Sequence, residues 1–142
     1  MFDWDSIKRP ILLLAPMSGY TDSSFRQLVK EICPRVICFT EFTNTDGLLH
    51  KSESSLRQIS FNAEKERPIV AQIFGKRPEN FAAAAKILTE LGVDAIDINM
   101  GCPARKVVNS DTGSALFKNP TLAGEIVAAV CKSTHLPVSV KT

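Results

Sequence analysis

Five short apolar runs, evenly interleaved with helix signals, constrain this chain more than any other feature. They are ILLLAPM (Ile11 to Met17), VICFTEFT (Val36 to Thr43), PIVAQIFG (Pro68 to Gly75), AIDINMGCP (Ala95 to Pro103) and PVSVK after Leu136. Each has strand length and is rich in β-branched, aliphatic or aromatic residues. The first, closed by Pro16, reads as a strand buried on both faces. The fourth alternates and then breaks, giving a strand followed by a loop.

Helix punctuation fills the intervals. Thr21, Asp22 and Ser23 offer N-cap side chains for a helix through Phe25, Leu28, Val29 and Ile32, spaced by three and four. Pro78 suits the first turn of PENFAAAAKILTELG and Gly92 its C-terminal cap. Asn119 before Pro120 opens a helix from Thr121 to about Lys132. Residues 44 to 66 are polar and less regular, with a short helix expected near Ser54 to Ile59.

Strand and helix alternating at this spacing mean a parallel sheet of right-handed βαβ units. An open doubly wound sheet would favour a GxGxxG-type phosphate loop after the first strand, and none is present. A full (β/α)8 barrel takes about 250 residues, whereas this chain has 142 and stops on its fifth strand. The expected fold is therefore α/β, a partial (β/α)8 barrel of about five parallel strands. Residues 1–142 would be its N-terminal part.

Composition excludes whole classes. At 44% hydrophobic and 23% charged, the chain is neither disordered nor fibrous. A net charge of +2 neither demands nor forbids a nucleic-acid partner. No apolar stretch approaches the roughly 20 residues of a membrane span. The acidic start and short apolar run of the N-terminus do not match a secretory signal, so a cytoplasmic chain without membrane attachment is expected. Cys33, Cys38, Cys102 and Cys131 lack CxxC spacing, and His50 and His135 stand far apart, so no metal site is expected.

In a barrel, chemistry collects at the C-terminal ends of strands, and here those ends are rich. Pro16, Met17, Ser18 and Gly19 follow the first strand, Glu41 the second, and Asn99 to Pro103 the fourth; Gln72 lies on the third and Lys141 on the fifth. Gln72 within an apolar strand needs a hydrogen-bond partner, either backbone or a bound heterocycle. Lys141 is either a solvated terminal lysine or a cation aimed at the pocket. Asp97 and Asn99 alternate with Ile96 and Ile98, putting polar groups on one face. Free cysteines are usually small buried hydrophobes, and Cys33, Cys38 and Cys131 take that reading. Cys102 differs: it sits between Gly101 and Pro103 on a loop, near Arg105 and Lys106, where cations adjust thiol chemistry. Arg105, Lys106, Lys76 and Arg77 would be solvated charge on a surface, or phosphate contacts around a mouth that accepts a nucleotide.

Three stretches, APMSGYTDSSFR (Ala15 to Arg26), AQIFGKRPENFAAAA (Ala71 to Ala85) and DINMGCPARKVVNSDTGSAL (Asp97 to Leu116), resemble the signatures of the tRNA-dihydrouridine synthases, in order and at natural spacing. INMGCPARKV is similar to a bacterial-type branch. The resemblance implies FMN at the C-terminal mouth of a (β/α)8 barrel, NADPH as reductant and tRNA as substrate. It places Pro16, Met17 and Ser18 against the flavin, Gln72 on its ring and Lys141 at its N1–C2 edge. Cys102 would be the general acid, with Asn99, Arg105 and Lys106 toward the substrate. In the family the flavin phosphate site and a helical tRNA-gripping domain lie later in the sequence, so little or no synthase activity is expected from this chain alone. The alternatives are an FMN barrel acting on a free pyrimidine, and a fragment that binds RNA or a partner without catalysis.

Overall fold

The computed structural model describes residues 2–142, with Lys106 described by its backbone alone. Its strands are β1 (Leu13–Leu14), β2 (Ile37–Phe39), β3 (Thr43–Asn44), β4 (Ile69–Phe74), β5 (Ala95–Asn99) and β6 (Val138–Lys141). Its helices are α1 (Ser23–Ile32), α2 (Thr45–Leu49), α3 (Glu53–Ile59), α4 (Pro78–Leu91), α5 (Arg105–Val108) and α6 (Pro120–Ser133). The strands run in parallel in the order β1-β2-β4-β5-β6, with β3 also beside β4. The sheet is a curled half-barrel, as the alternating pattern requires.

The expected second strand is two strands. Four steps from Phe39 to Thr43 face three from Val70 to Ile73, so the chain bulges by one residue over Thr40–Phe42. The hydroxyl of Thr40 repairs the ladder, accepting from the Gln72 N–H at 3.2 Å and donating to the Glu41 carbonyl at 2.9 Å. Glu41 is thereby turned toward the first loop, where it accepts from the Gly19 N–H at 2.5 Å.

Alternation along the strands divides the core. Ala71, Ile73, Ile96 and Ile98 face outward onto Phe81, Ala84, Ala85 and Leu88 of α4 and Ile126 and Val130 of α6. On the concave face, Ile37, Phe39, Val70 and Ala95 pack with Phe2, Trp4, Ile7 and Ile11 from the N-terminal segment. Helices α4 and α6 form where local chemistry dictates. Pro78 and Pro120 open them, Gly92 closes α4 at φ +78°, and the Asn119 side chain accepts from the Leu122 N–H.

Three expectations fail, each for a physical reason. β1 is not a strand buried on both faces: it has two residues, and Leu13 is 50% exposed. It is an edge strand with a partner on one side only. Of the apolar stripe of helix α1 only Val29 packs inward, on Val36, Cys38 and Ile69; Phe25, Leu28 and Ile32 are 39%, 51% and 78% exposed, while Arg26 and Lys30 are buried. Arg26 turns inward because Glu66 waits there, its carboxylate 2.6 Å from the guanidinium with both side chains sealed from solvent. Cys38 is a core thiol as expected, but Cys131 is exposed, one position past the inward Val130 of α6.

Candidate active site at the strand ends

The first loop is built from its own residues. The Thr21 hydroxyl accepts from the Met17 N–H at 3.0 Å and donates to the Met17 carbonyl at 3.1 Å. Gly19 takes φ +78°, which the turn needs and which side chains disfavour. Ala15 and Pro16 then line a concavity of about 400 Å³ on the open face of the half-barrel. Its other walls include Trp4, Leu13, Phe39, Asp97, Ser139 and Lys141. Pro16 and Lys141 are thus brought to one cavity. Met17 is exposed outside it, and Ser18 lines a neighbouring groove of about 630 Å³ with Asn44, Phe74, Ala104 and Val107.

Gln72, Asp97 and Ser139 lie at one level on β4, β5 and β6, paired in register. The Gln72 amide nitrogen donates to Asp97 Oδ2 at 2.6 Å, and the Ser139 hydroxyl to Asp97 Oδ1 at 2.6 Å. Backbone does not supply the partner that the Gln72 side chain needs: its carbonyl oxygen Oε1 is buried and has none. Such an acceptor, left unmet, forfeits about 1–3 kcal/mol.

Asp97 is 2% exposed, and burial pushes its carboxyl above the usual range, opposed by the bonds from Ser139 and Gln72 and by nearby Lys141. The folded chain therefore holds this proton to higher pH than the unfolded chain. Its effect on stability is absent below the unfolded value of 3.8 and destabilising above the folded one, with stability falling in between. Urea denaturation across that window should show the decline, and Asp97→Asn should flatten it and raise stability at neutral pH.

Asn99 ends β5 and shapes the loop after it. Its Oδ1 accepts from the Gly101 N–H at 3.2 Å and the Cys102 N–H at 3.0 Å, leaving the amide NH2 as its uncommitted end. The Cys102 carbonyl in turn accepts from the Ser114 N–H at 3.1 Å. Gly101 lets this loop run against β6, since a Cβ there would lie 2.5 Å from the Thr142 carbonyl carbon. Cys102 is half-buried and Arg105 exposed at the start of α5; the side chain of Lys106 lies outside the described residues. Lys76 approaches Asp111 at 3.8 Å on the surface.

Gly113 is the loop's weak point. It holds φ +61°, and an added Cβ would meet Val107 Cγ1 at 2.7 Å and the Cys102 carbonyl oxygen at 2.9 Å. Gly113→Ala should therefore loosen the Cys102 loop at a cost of about 1–3 kcal/mol. Faster modification of Cys102 by a thiol reagent, with the remaining cysteines unchanged, is the expected readout.

Sequence reasoning noticed Asp97 without giving it a role and missed Ser139 and Trp4. Ser139 had a signal, a hydroxyl between Val138 and Val140 in a strand run. Trp4 had none, because its place is set by the N-terminal segment crossing the concave face. Among the described residues no helix is long and apolar enough to cross a membrane.

Known proteins resemble the chain along this whole framework. The family model described as dihydrouridine synthase matches residues 13–142. The chain is 43% identical over 140 residues to a probable tRNA-dihydrouridine synthase 2 of Bacillus subtilis, covering 98% of this chain and 43% of that protein. It is 42% identical over 140 residues to a probable tRNA-dihydrouridine synthase of Staphylococcus aureus (strain COL), covering 98% of this chain and 42% of the relative. It therefore spans less than half the length of these relatives. The matched residues include the first loop, Gln72, the Cys102 loop and Lys141, and the chain belongs to the dihydrouridine synthase family.

Proposed function

We propose that these residues form the first part of an FMN-binding barrel domain that reduces uridine to 5,6-dihydrouridine in tRNA, in a cytoplasmic protein. The buried, unpartnered oxygen of Gln72, whose amide is bonded to Asp97 on the wall of an apolar cavity, carries the reading. An acceptor of this kind fits the edge of a planar heterocycle, and a ring system suits a mostly apolar cleft with few polar groups. Pro16 would lie against the ring, with Met17 and Ser18 beside it, Gln72 at its polar edge and Lys141 near the edge where negative charge collects on reduction. FMN recharged by NADPH would supply hydride for C6 of the uracil.

The chain's own task is to position the base and deliver a proton. Cys102, held by Asn99 through its backbone N–H, would give the proton to C5. A positioned thiol within reach of a reacting carbon can serve as its proton donor. The free NH2 of Asn99 would face the uracil, and Arg105 and Lys106 would meet phosphates. The target base must leave its stack to reach the ring.

Titrating the chain with FMN, followed by flavin fluorescence, tests the cofactor half of this reading. Saturable binding that weakens roughly tenfold in Gln72→Ala supports it, in line with the loss of one well-placed hydrogen bond. Binding indifferent to Gln72 and to Lys141→Ala would show that the flavin does not use this face.

A further inference from the structure

We propose that Asp97 is a positioning residue that turns the Gln72 amide so that its carbonyl oxygen is the end left free, creating an acceptor for an imide N–H. The inference rests on the flavin reading above and extends it to the polarity of the subsite.

The amide of a glutamine can be turned by 180° at little intrinsic cost, so its neighbours decide which end faces a ligand. Here the neighbour is a carboxylate, which accepts and does not donate when ionised. The Gln72 NH2 lies 2.6 Å from Asp97 Oδ2, and the opposite orientation would set two oxygens against each other. Ser139 holds the carboxylate from the far side at 2.6 Å, so the three strands fix the arrangement in series. The oxygen left over is Gln72 Oε1, buried and unpaired.

A buried charge is a poor structural device. Gln72 and Ser139 could be satisfied by an amide, or replaced by apolar residues, without placing a desolvated carboxylate in the sheet. What a carboxylate achieves, and an amide does not, is a fixed direction for Gln72. An asparagine at position 97 offers one donor and one acceptor and permits either orientation.

The unpaired oxygen calls for a donor, and the Lys141 cation two strands away, on the wall of the adjoining cavity, calls for an acceptor beside that donor. An imide N–H between two carbonyls has that pattern. A flavin ring carries one at N3, and uracil carries one at its own N3, so the ligand chemistry is shared and the source must be tested.

Two measurements on the whole chain decide the matter. In the first, NMR of the ligand-free, 15N-labelled chain follows the side-chain NH2 protons. Those of Gln72 should exchange more slowly than those of half-buried Gln58, and this protection should vanish in Asp97→Leu. Exchange as fast as that of Gln58 would show that Asp97 does not hold the amide. In the second, lumiflavin is compared with 3-methyllumiflavin, and uridine monophosphate with its 3-methyl form. Methylation should weaken the flavin roughly tenfold or more, and Asp97→Asn should shrink that ratio to less than about threefold while leaving the fold intact or more stable, since one direction becomes two. A methylation penalty seen only with the uridine pair keeps the acceptor but assigns it to the substrate, contradicting the flavin placement. Lumiflavin binding that ignores methylation overturns the acceptor while the flavin reading stands. Failure of both ligands to bind, with Gln72 protected, overturns the flavin reading and the ligand role of the acceptor together. A loss of stability in Asp97→Asn would make Asp97 structural and sink the inference.

Discussion

Glu66→Ala should cost the chain about 3–5 kcal/mol of stability. Glu66 is sealed from solvent and accepts from Arg26 Nε at 2.6 Å, the Ser23 hydroxyl at 2.5 Å and the Asn62 N–H at 2.7 Å. Arg26 is equally sealed and also donates from Nη1 to the Thr21 carbonyl and from Nη2 to the Ser60 carbonyl. Deleting one partner strands the other charge, which costs about 3–5 kcal/mol. A small domain has a total stability of about 5–15 kcal/mol, so a large share of it would go. Because Arg26 also grips Thr21, whose hydroxyl ties the first loop, the damage should reach Met17 and Ser18. Guanidinium denaturation followed by circular dichroism checks the loss. A double substitution, Arg26→Met with Glu66→Leu, should recover much of it, because the charges then disappear together.

The second large effect falls on chemistry. In a full-length protein carrying these residues, the proposed role predicts that Cys102→Ala lowers uridine reduction about 10²–10⁴-fold, the usual contribution of a positioned proton donor. It should leave tRNA affinity within about twofold, because protein–nucleic-acid affinity comes mainly from contacts to phosphates rather than from one small side chain. The fold should barely notice, since Cys102 is half-buried and its loop is held through backbone atoms by Asn99 and Ser114. Cys102→Ser should recover little, because a hydroxyl is a far weaker acid than a thiol. An unchanged rate in the alanine variant would make Cys102 structural.

Some of this was legible in the sequence because the governing chemistry is local. Proline and glycine set the ends of α4, and Asn119 with Pro120 opens α6. The strands were legible because outward-facing Ala71, Ile73, Ile96 and Ile98 alternate with inward-facing residues. The face of α1 was not, since its partner Glu66 lies 40 residues away and nothing near Arg26 announces a buried ion pair. The bulge at Thr40–Phe42 was equally hidden; VICFTEFT reads as one strand until its register against β4 is known. Of the site, the polar residues on strand ends could be named, because Gln72, Asp97 and Asn99 interrupt apolar runs. That Asp97 binds Gln72 on one side and Ser139 on the other depends on the order and register of three strands. No single strand carries that information.

The proposed flavin-dependent reduction of uridine at these strand ends, with Cys102 as the acid, is open to a direct test. The most direct measurement grafts residues 1–142 in place of the matching 140 residues of the Bacillus subtilis relative. Dihydrouridine in uridine-bearing tRNA is then quantified by mass spectrometry, with FMN and NADPH supplied, beside the same graft carrying Cys102→Ala. Dihydrouridine is expected from the graft, with near-complete loss in the variant and flavin still bound in both. Equal dihydrouridine from the two proteins, or none from a graft that retains its flavin, would contradict it.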